Sequence, residues 1–416
     1  MPKIKKISAI QIINSRGIPT LKAYAFLDDG TMGWAMVPQG ASRGAKEAVE
    51  IFDQDVNLFA GFSLKNNIDL IDTKIDQALL GLEVIDQKKI DQKLIEIDGT
   101  TDKSKFGANT LLAVSMACAR AASLAKKEEL YQYIAEIFGT KELFLPTPLL
   151  NFINGGAHAS NNLEIQEFLV IPKANSFFGA IRVADEIYLK LKELLKTKNE
   201  SLGLGDEGGF APNLENNQEA LELLSQATTE SNNTDKIIFG LDVAADSFYD
   251  KESKLYQLGG QTINADQLMT YYQELGEKFP LKSLEDPFEE DDINAWQKAK
   301  TNLGDWQIVG DDLFVTNPKI ITQKQKLANA IIIKPNQIGT VSETFEAIKT
   351  ARNANMKIII SHRSGETEDS FIADLAVGVG ADEVKFGSLA RSERLAKYNR
   401  LLEIEAFNNL SYRQAL

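Results

Sequence analysis

The sequence lacks the residues that build disulfide-bonded scaffolds, nucleic-acid surfaces and membrane spans. Its 416 residues include one cysteine, Cys118, so no disulfide framework is possible and a cytoplasmic protein is expected. Lysine and arginine total 45 against 59 acidic residues, a net charge of −14, and no long basic cluster occurs, so nucleic acid is not an expected partner. No run of about 18 apolar residues is present, so no membrane span is expected.

Histidine is also scarce, and both histidines lie in dense polar motifs. His158 follows Asn154-Gly155-Gly156-Ala157, and His362 directly follows the apolar residues 358–360. A lone histidine is more often structural than catalytic, but neither of these lies in an apolar helical stripe. Because histidine changes charge near neutral pH and is a frequent acid, base or ligand, the two positions favour a functional site.

The length and the order of patterns predict two domains. A chain of this size exceeds one ordinary core. Residues 21–27 and 31–37 read as strands around an Asp-Asp-Gly turn, and residues 107–125 read as a helix, which indicates an α+β region. Prolines at 146 and 148 mark a boundary, after which β-rich and helical stretches alternate. We therefore expect an N-terminal α+β cap over residues 1–140 and an α/β barrel over residues 141–416.

The most informative pattern is what ends the short β-rich runs of the second region. From the second of these runs onward, the terminal residues are 23 to 28 positions apart, the length of about one strand and one helix. In a (β/α) barrel such residues converge at the C-terminal mouth, where active sites lie. The six terminal residues are Asp242, Glu285, Asp311, Lys334, His362 and Lys385.

Three of these residues are carboxylates and predict a metal site. Brought together without partners, Asp242, Glu285 and Asp311 would repel one another and raise one another's pKa values. Oxygen ligands that leave room for water and substrate suit Mg²⁺. The alternative is that the three carboxylates form salt bridges with lysine and arginine across the mouth.

Three other residues predict acid–base and phosphate chemistry. Near a bound cation and a second lysine, Lys334 would have a lowered pKa and could act as a base. Glu207 lies in Gly205-Asp206-Glu207-Gly208-Gly209, which is either a simple turn or, beside a base and a metal, a loop carrying an acid. Arg363 offers a planar fork for phosphate.

With these residues in place, the chain closely resembles the enolase family along almost its whole length. The resemblance includes Ser-Arg-Gly-Ile-Pro-Thr at 15–20, Leu-Glu-Asp-Pro at 284–287 and Lys-Pro-Asn-Gln at 334–337. Further matching segments are residues 154–158, 166–168, 205–209, 240–242, 311–313, 361–369 and 390–397.

The resemblance implies a fold, a reaction and a cofactor. The implied fold is an α+β cap followed by an eight-stranded enolase-type barrel whose first strands are not all parallel. The implied reaction is the reversible, Mg²⁺-dependent dehydration of 2-phosphoglycerate to phosphoenolpyruvate in glycolysis and gluconeogenesis, carried out by a phosphopyruvate hydratase. Two Mg²⁺ ions per site are implied, the second arriving with substrate, and a homodimer or higher homo-oligomer is expected.

The resemblance also implies a role for each matching residue. Asp242, Glu285 and Asp311 match the tight Mg²⁺ ligands, and Ser42 matches the residue that joins the second ion. Lys334 matches the base and Glu207 the acid. The residues that match the substrate-contacting set are His158, Gln166, Glu167, His362, Arg363, Ser364 and Lys385.

One departure touches the chemistry, and two other readings stay open. The family loop usually reads Ser-Gly-Ala-Ser-Thr-Gly, but here Gln39 and Arg43 replace its first and fifth residues, which bears on loop closure and substrate affinity. A different enzyme of the wider enolase superfamily would keep the metal ligands and act on another carboxylate. A non-catalytic binding protein could keep only the fold, although Lys334 and Glu207 are both present.

Overall fold

The N-terminal region begins with an antiparallel three-stranded sheet. The protein is described by a computed structural model that covers residues 1–40, 44, 46–414 and 416. The strands are β1 (Ile4–Ile13), β2 (Pro19–Leu27) and β3 (Met32–Met36). β2 pairs with β1 and with β3, and Tyr24 lies opposite Trp34. The predicted hairpin is confirmed, and β1 adds an edge strand that the sequence analysis did not identify.

Helices follow this sheet along the chain, and several of them pack on it. They are α1 (Lys65–Leu70), α2 (Asp76–Leu79), α3 (Gln87–Asp98), α4 (Ala108–Lys126) and α5 (Leu130–Phe138), with a π-helical segment, Ile71–Ile75, between α1 and α2. α4 packs directly on the sheet at Gly33, where an added Cβ would lie 2.2 Å from the backbone nitrogen of Ala121. Among the described residues, α4 alone is long and apolar enough to cross a membrane, but 83% of its apolar window is buried inside the protein. It is therefore the core helix of this region.

In the described part of the chain, the strands of the second region form one large barrel sheet and two small separate sheets. These strands are β4 (Phe144–Leu145), β5 (Thr147–Pro148), β6 (Leu150–Asn154), β7 (Glu167–Pro172), β8 (Ile237–Asp242), β9 (Tyr249–Asp250), β10 (Leu255–Leu258), β11 (Gln261–Ile263), β12 (Leu281–Glu285), β13 (Gln307–Gly310), β14 (Ala330–Ile333), β15 (Lys357–Ser361), β16 (Glu383–Lys385) and β17 (Ser411–Tyr412).

One continuous stretch closes the barrel. β5 pairs in parallel with β16, and β6 pairs antiparallel with β7. Because only Leu149 separates β5 from β6, the two act as one strand that joins the ends of the sheet. β7 is also antiparallel to β8, whereas β8, β12, β13, β14, β15 and β16 follow one another in parallel. The predicted eight-stranded barrel with mixed first strands is confirmed.

Helices surround the barrel, and many begin at a capping side chain. They are α6 (Phe177–Thr197), α7 (Asn217–Glu230), α8 (Ala265–Lys278), α9 (Ile293–Asn302), α10 (Pro318–Lys324), α11 (Val341–Asn353), α12 (Phe371–Val379) and α13 (Ser392–Phe407). Ser176, Asn216 and Thr340, which precede α6, α7 and α11, each accept a hydrogen bond from a backbone N–H of the first turn. Such caps satisfy N–H groups that have no partner within the helix.

Buried ion pairs hold the N-terminal region against the barrel. Arg120 of α4 donates to Asp369, which follows β15, with the atoms Nη2 and Oδ1 2.6 Å apart. Asp369 also accepts the backbone N–H of Met36 at 2.8 Å. Lys103 contacts Glu343 of α11 at 2.8 Å. These contacts place the N-terminal sheet beside the segment that carries His362 and Arg363.

Candidate active site

The predicted strand-end residues meet at one mouth of the barrel. Asp242, Glu285 and Lys385 are the last residues of β8, β12 and β16, and Asp311 and Lys334 directly follow β13 and β14. His362 follows β15 in the same way. Because β7 runs antiparallel to β8, its first residue, Glu167, reaches the same end and lies opposite Asp242.

Most of the predicted site residues line one cavity of about 260 Å³. Glu285 is not in its wall but contacts it through Lys385. Ser42, predicted to join the second metal ion, lies outside the described residues, as does Arg43. The predicted residues in the wall are His158, Gln166, Glu167, Glu207, Asp242, Asp311, Lys334, His362, Arg363, Ser364 and Lys385.

Lys385 is the centre of one ion-pair cluster. Its Nζ lies 2.8 Å from Asp242 Oδ2, 2.9 Å from Glu285 Oε2 and 3.2 Å from Glu167 Oε1. Burial by itself would lower the pKa of Lys385, but these carboxylates outweigh it and raise the pKa well above its usual value. Burial, followed by the charge of Asp242, raises the pKa of Glu285 to about 8. The cluster thus holds more carboxylate than one ammonium group neutralises.

Lys334 forms the second cluster with Asp311. Lys334 Nζ donates to Asp311 Oδ2, and Gln337 Nε2 donates to Asp311 Oδ1 at 3.0 Å. Burial would lower the pKa of Lys334, but Asp311 outweighs it and raises the pKa. The sequence predicts a lowered pKa for Lys334 beside a bound cation. The described side chains alone give the opposite direction because Asp311 is paired with the lysine itself.

The donor set at this end of the barrel fits a hard divalent cation. Asp242, Glu285 and Asp311 supply only oxygen ligands, as Mg²⁺ prefers. Glu285 Oε1 is buried without a hydrogen-bond partner among the described residues. Both predicted arrangements therefore have support, since the carboxylates are paired with lysines and still leave a buried oxygen for a cation.

A further carboxylate, Asp286, lies beside the predicted site residues although the sequence assigns it no role. Oxygen atoms of Asp286, Asp311 and Asp312 all lie within 4.8 Å of one another. Asp286 accepts the backbone N–H groups of Asp311 and Asp312 at 3.0 and 2.9 Å, so it shapes the turn after β13. Its φ of 41° is a strained left-handed conformation held by these contacts. Its position directly after Glu285 was the available signal.

The opposite side of the cavity carries a pair of carboxylates and both histidines. Ligand atoms of His158, Glu167 and Glu207 all lie within 4.8 Å of one another. His362 Nε2 is 3.2 Å from Glu207 Oε1, and Asn151 Nδ2 donates to Glu207 Oε2 at 3.0 Å. Burial, followed by the charge of Glu207, raises the pKa of Glu167 well above its usual value. Two buried carboxylates this close disfavour each other's ionised forms.

The loop that carries Glu207 depends on its glycines. Gly208 has a φ of +85°, a conformation that favours glycine. At Gly209 an added Cβ would lie 2.7 Å from Asn154 Oδ1 and 2.9 Å from the carbonyl oxygen of Asn151. The close approach joins the loop to β6, so the segment is a built support for Glu207 and more than a surface turn.

Arg363 is held by an acidic residue that the sequence analysis did not identify. Its Nη2 lies 3.1 Å from Glu47 Oε2, and its Nη1 donates to Glu47 Oε1 at 3.2 Å. Burial would lower the pKa of Arg363, but Glu47 and then Glu50 outweigh it and raise the pKa. Glu47 also accepts from Gln337 Nε2 at 3.3 Å, which links the guanidinium to the Asp311 cluster. No local motif marks Glu47, because its partners are distant in sequence.

Comparison with known proteins agrees with this geometry. Residues 4–134 match the family described as "Enolase, N-terminal domain", and residues 142–412 match "Enolase, C-terminal TIM barrel domain". The protein named "Enolase" of Ehrlichia canis is 48% identical over 408 residues, 97% of this chain and 96% of that protein. The chain belongs to the enolase family.

Other enolases match to a similar extent. The "Enolase" of Ehrlichia chaffeensis is 47% identical over 98% of this chain and 97% of its own length. That of Anaplasma phagocytophilum is 46% identical over 97% of this chain and 94% of its own length. Family membership confirms the predicted fold class, the lyase class and the reversible dehydration of 2-phosphoglycerate to phosphoenolpyruvate.

Proposed function

We propose that the cavity at the barrel mouth is the active site for this dehydration. The observation that carries the proposal is that Lys334 lies on the side of the barrel opposite the Glu167–Glu207 pair. In the ring of eight strands, Lys334 follows β14, and Glu167 begins β7, four strands away on the opposite side. A base and an acid on opposite faces of one small substrate suit removal of a proton from one carbon and of hydroxide from the next.

Lys334 is the proposed base and Lys385 the proposed stabiliser of negative charge. Removing a proton beside a carboxylate adds charge to a group that is already an anion. Lys385, with its raised pKa, stays cationic and attracts that charge. When bound, Mg²⁺ would neutralise the substrate carboxylate and make the adjacent proton more acidic. A lysine base that works beside Mg²⁺ is the general pattern of enolase-superfamily sites, so this part of the proposal follows the family.

Glu207 is the proposed acid, acting as a pair with Glu167. Loss of hydroxide needs a proton because hydroxide is a poor leaving group. The carboxyl oxygens of Glu167 and Glu207 lie within 4.8 Å of each other, so the two residues form one buried pair on this side of the cavity. His158 and Gln166 complete the wall on this side. Arg363 and Ser364 are the proposed phosphate contacts, with the guanidinium held in place by Glu47.

Asp242, Glu285 and Asp311 are the proposed Mg²⁺ ligands. The unpartnered Glu285 oxygen and the all-carboxylate donor set support the assignment. Two ions, the second arriving with substrate, are proposed from the family resemblance.

We also propose a cap over residues 1–140, a barrel over residues 141–416, a cytoplasmic location and a homodimer or higher homo-oligomer. The single buried thiol of Cys118 supports a reducing compartment.

A direct assay tests the proposed function. Purified protein should convert 2-phosphoglycerate to phosphoenolpyruvate, followed by ultraviolet absorbance, only when Mg²⁺ is present. A panel of other carboxylic acids serves as the control for a different superfamily activity. Turnover of another acid without formation of phosphoenolpyruvate would refute the assignment.

The roles of the base and the acid can be separated by hydrogen exchange. Lys334→Ala should abolish exchange of the substrate C2 hydrogen with solvent by removing the base. Glu207→Gln should stop elimination yet leave exchange measurable, because proton removal precedes loss of hydroxide. Exchange is read in deuterated water by NMR of the recovered substrate. Equal exchange in the two variants would contradict this division of roles.

A further inference from the structure

Arg394 lies directly behind the acid side of the cavity without reaching it. It stands near the start of α13 and is completely buried, with 0% of its surface exposed. Its Nη1 contacts His362 Nδ1 at 2.7 Å and donates to the carbonyl oxygen of Arg363 at 2.6 Å. Its Nη2 donates to the carbonyl oxygens of Asp206 and Ser364 at 2.9 and 2.6 Å. One guanidinium therefore joins the segment of Glu207 to the segment of His362 and Arg363.

The contact with His362 determines which ring nitrogen carries the proton. A guanidinium has only donors, so His362 Nδ1 must accept. A neutral imidazole then carries its proton on Nε2, which faces Glu207 Oε1 at 3.2 Å. Burial, together with the charge of Arg394, lowers the pKa of His362 to about 4 even though Glu207 opposes the shift. The doubly protonated ring, which would place an N–H against Arg394, is thus disfavoured.

We propose that Arg394 is a positioning residue that keeps His362 in the Nε2–H tautomer and holds that N–H beside Glu207. The ring then presents a neutral N–H 3.2 Å from Glu207 Oε1, outside hydrogen-bond geometry in this structure, while Asn151 Nδ2 donates to Oε2. Without Arg394, the Nδ1–H tautomer would be free to form and would turn an acceptor toward the carboxylate. The catalytic consequence rests on the proposed function, but the tautomer does not.

The two histidines of the chain make the tautomer directly measurable. Full-length protein with ¹⁵N-labelled histidine, without substrate and near neutral pH, gives imidazole signals from His158 and His362 only. A His158→Gln sample assigns them. Long-range ¹H–¹⁵N spectra distinguish the Nε2–H, Nδ1–H and doubly protonated rings. The Nε2–H pattern is expected for His362. An Nδ1–H or doubly protonated ring in the wild-type protein would overturn the proposal.

A pair of variants tests the role of Arg394. Arg394→Met removes every donor at similar length, and the His362 signals should shift toward the Nδ1–H pattern. Arg400→Met is the matched control on the same helix, since Arg400 pairs with Asp374 and Glu129 away from the cavity, and it should leave the pattern unchanged. Retention of the Nε2–H tautomer in Arg394→Met would overturn the proposal. If Arg394→Met does not fold, the wild-type spectrum alone decides the tautomer.

The kinetic readout is separate from the spectroscopic one. Arg394→Met should lower kcat for 2-phosphoglycerate by about a hundredfold, the low end of the contribution of a positioned acid–base group. An unchanged kcat alongside a switched tautomer would overturn the positioning role. An inactive wild-type protein with the expected tautomer would instead refute the proposed function and leave the assignment of the ring intact.

Discussion

Glu383 is a buried ionisable residue that the proposed chemistry does not use. It begins β16 and is fully buried, at the opposite end of that strand from Lys385. Gln307 Nε2 lies 2.9 and 2.8 Å from its two oxygens, and Ser283 donates to Gln307 at 2.8 Å. Burial is the main cause that raises the pKa of Glu383 from 4.5 to about 7, and Lys357 and Gln307 only partly offset it.

This shift predicts a pH-dependent stability that one substitution removes. A carboxyl whose pKa is raised in the folded state keeps its proton there after the unfolded chain has lost it. The stabilising contribution of Glu383 to the free energy of unfolding is therefore fully present below about pH 4.5 and is lost as the pH rises to about 7. The change is about 3 kcal/mol. Glu383→Gln should remove this slope, as read by urea unfolding at pH 5, 6, 7 and 8. The same slope in the variant and the wild type would contradict the assignment.

At the residue scale, the sequence predicts which residues end the strands better than it predicts which side chains contact each other. Asp242, Asp311 and Lys334 were identified because each ends a β-rich run. Glu47 was not, because its partner Arg363 is 316 positions away. Arg394 belongs to a segment used for the family resemblance, yet its contact with His362 exists only after α13 packs against the barrel.

At the element scale, the packing of α4 on the N-terminal sheet gives a test of the fold. A Cβ at Gly33 would lie 2.2 Å from the nitrogen of Ala121 and 2.6 Å from the oxygen of Ala117, so the helix backbone itself would have to move. Gly33→Ala should therefore lower the free energy of unfolding by about 2–3 kcal/mol. Met32→Ala, on the same strand but 39% exposed, should change it by no more than about 0.5 kcal/mol. Equal urea midpoints for the two variants would show that α4 moves to accommodate the added methyl group without loss of stability.

Elements with a strong local pattern were predicted, and irregular ones were not. The hairpin of β2 and β3 and the apolar helix α4 follow from turn residues and periodicity. The excursion β9–β11 between β8 and α8 has no such signal. The family resemblance implied only that the first barrel strands are not all parallel, and the structure identifies β7 as antiparallel to β8. Strand direction depends on how a strand pairs and leaves no mark in its own residues.

For the whole molecule, the clustered carboxylates predict that Mg²⁺ stabilises the fold as well as supporting turnover. A ligand that binds only the folded state stabilises it by about 2.7 kcal/mol at a concentration 100-fold above its Kd. EDTA should therefore abolish turnover and lower Tm, and added Mg²⁺ should restore both. Asp242→Asn, which removes one proposed ligand charge, should show a smaller Mg²⁺-dependent rise in Tm. Full turnover in EDTA would show that the carboxylates act only as ion-pair partners of Lys385 and Lys334 and do not bind a metal ion needed for turnover.

The sequence by itself determined the family, the barrel, the reaction and the residues at the strand ends. These follow from local patterns and from long matching motifs, and a barrel brings the C-terminal ends of its parallel strands together whatever the details of packing. Only the tertiary structure decided which side chains are partners. Glu47 forms an ion pair with Arg363, Asp286 accepts the backbone N–H of Asp311, and Arg394 contacts Nδ1 of His362. Those contacts depend on the approach of segments that are far apart in sequence. The protonation of buried groups depends on the same approach, because desolvation and neighbouring charge exist only once the chain is packed.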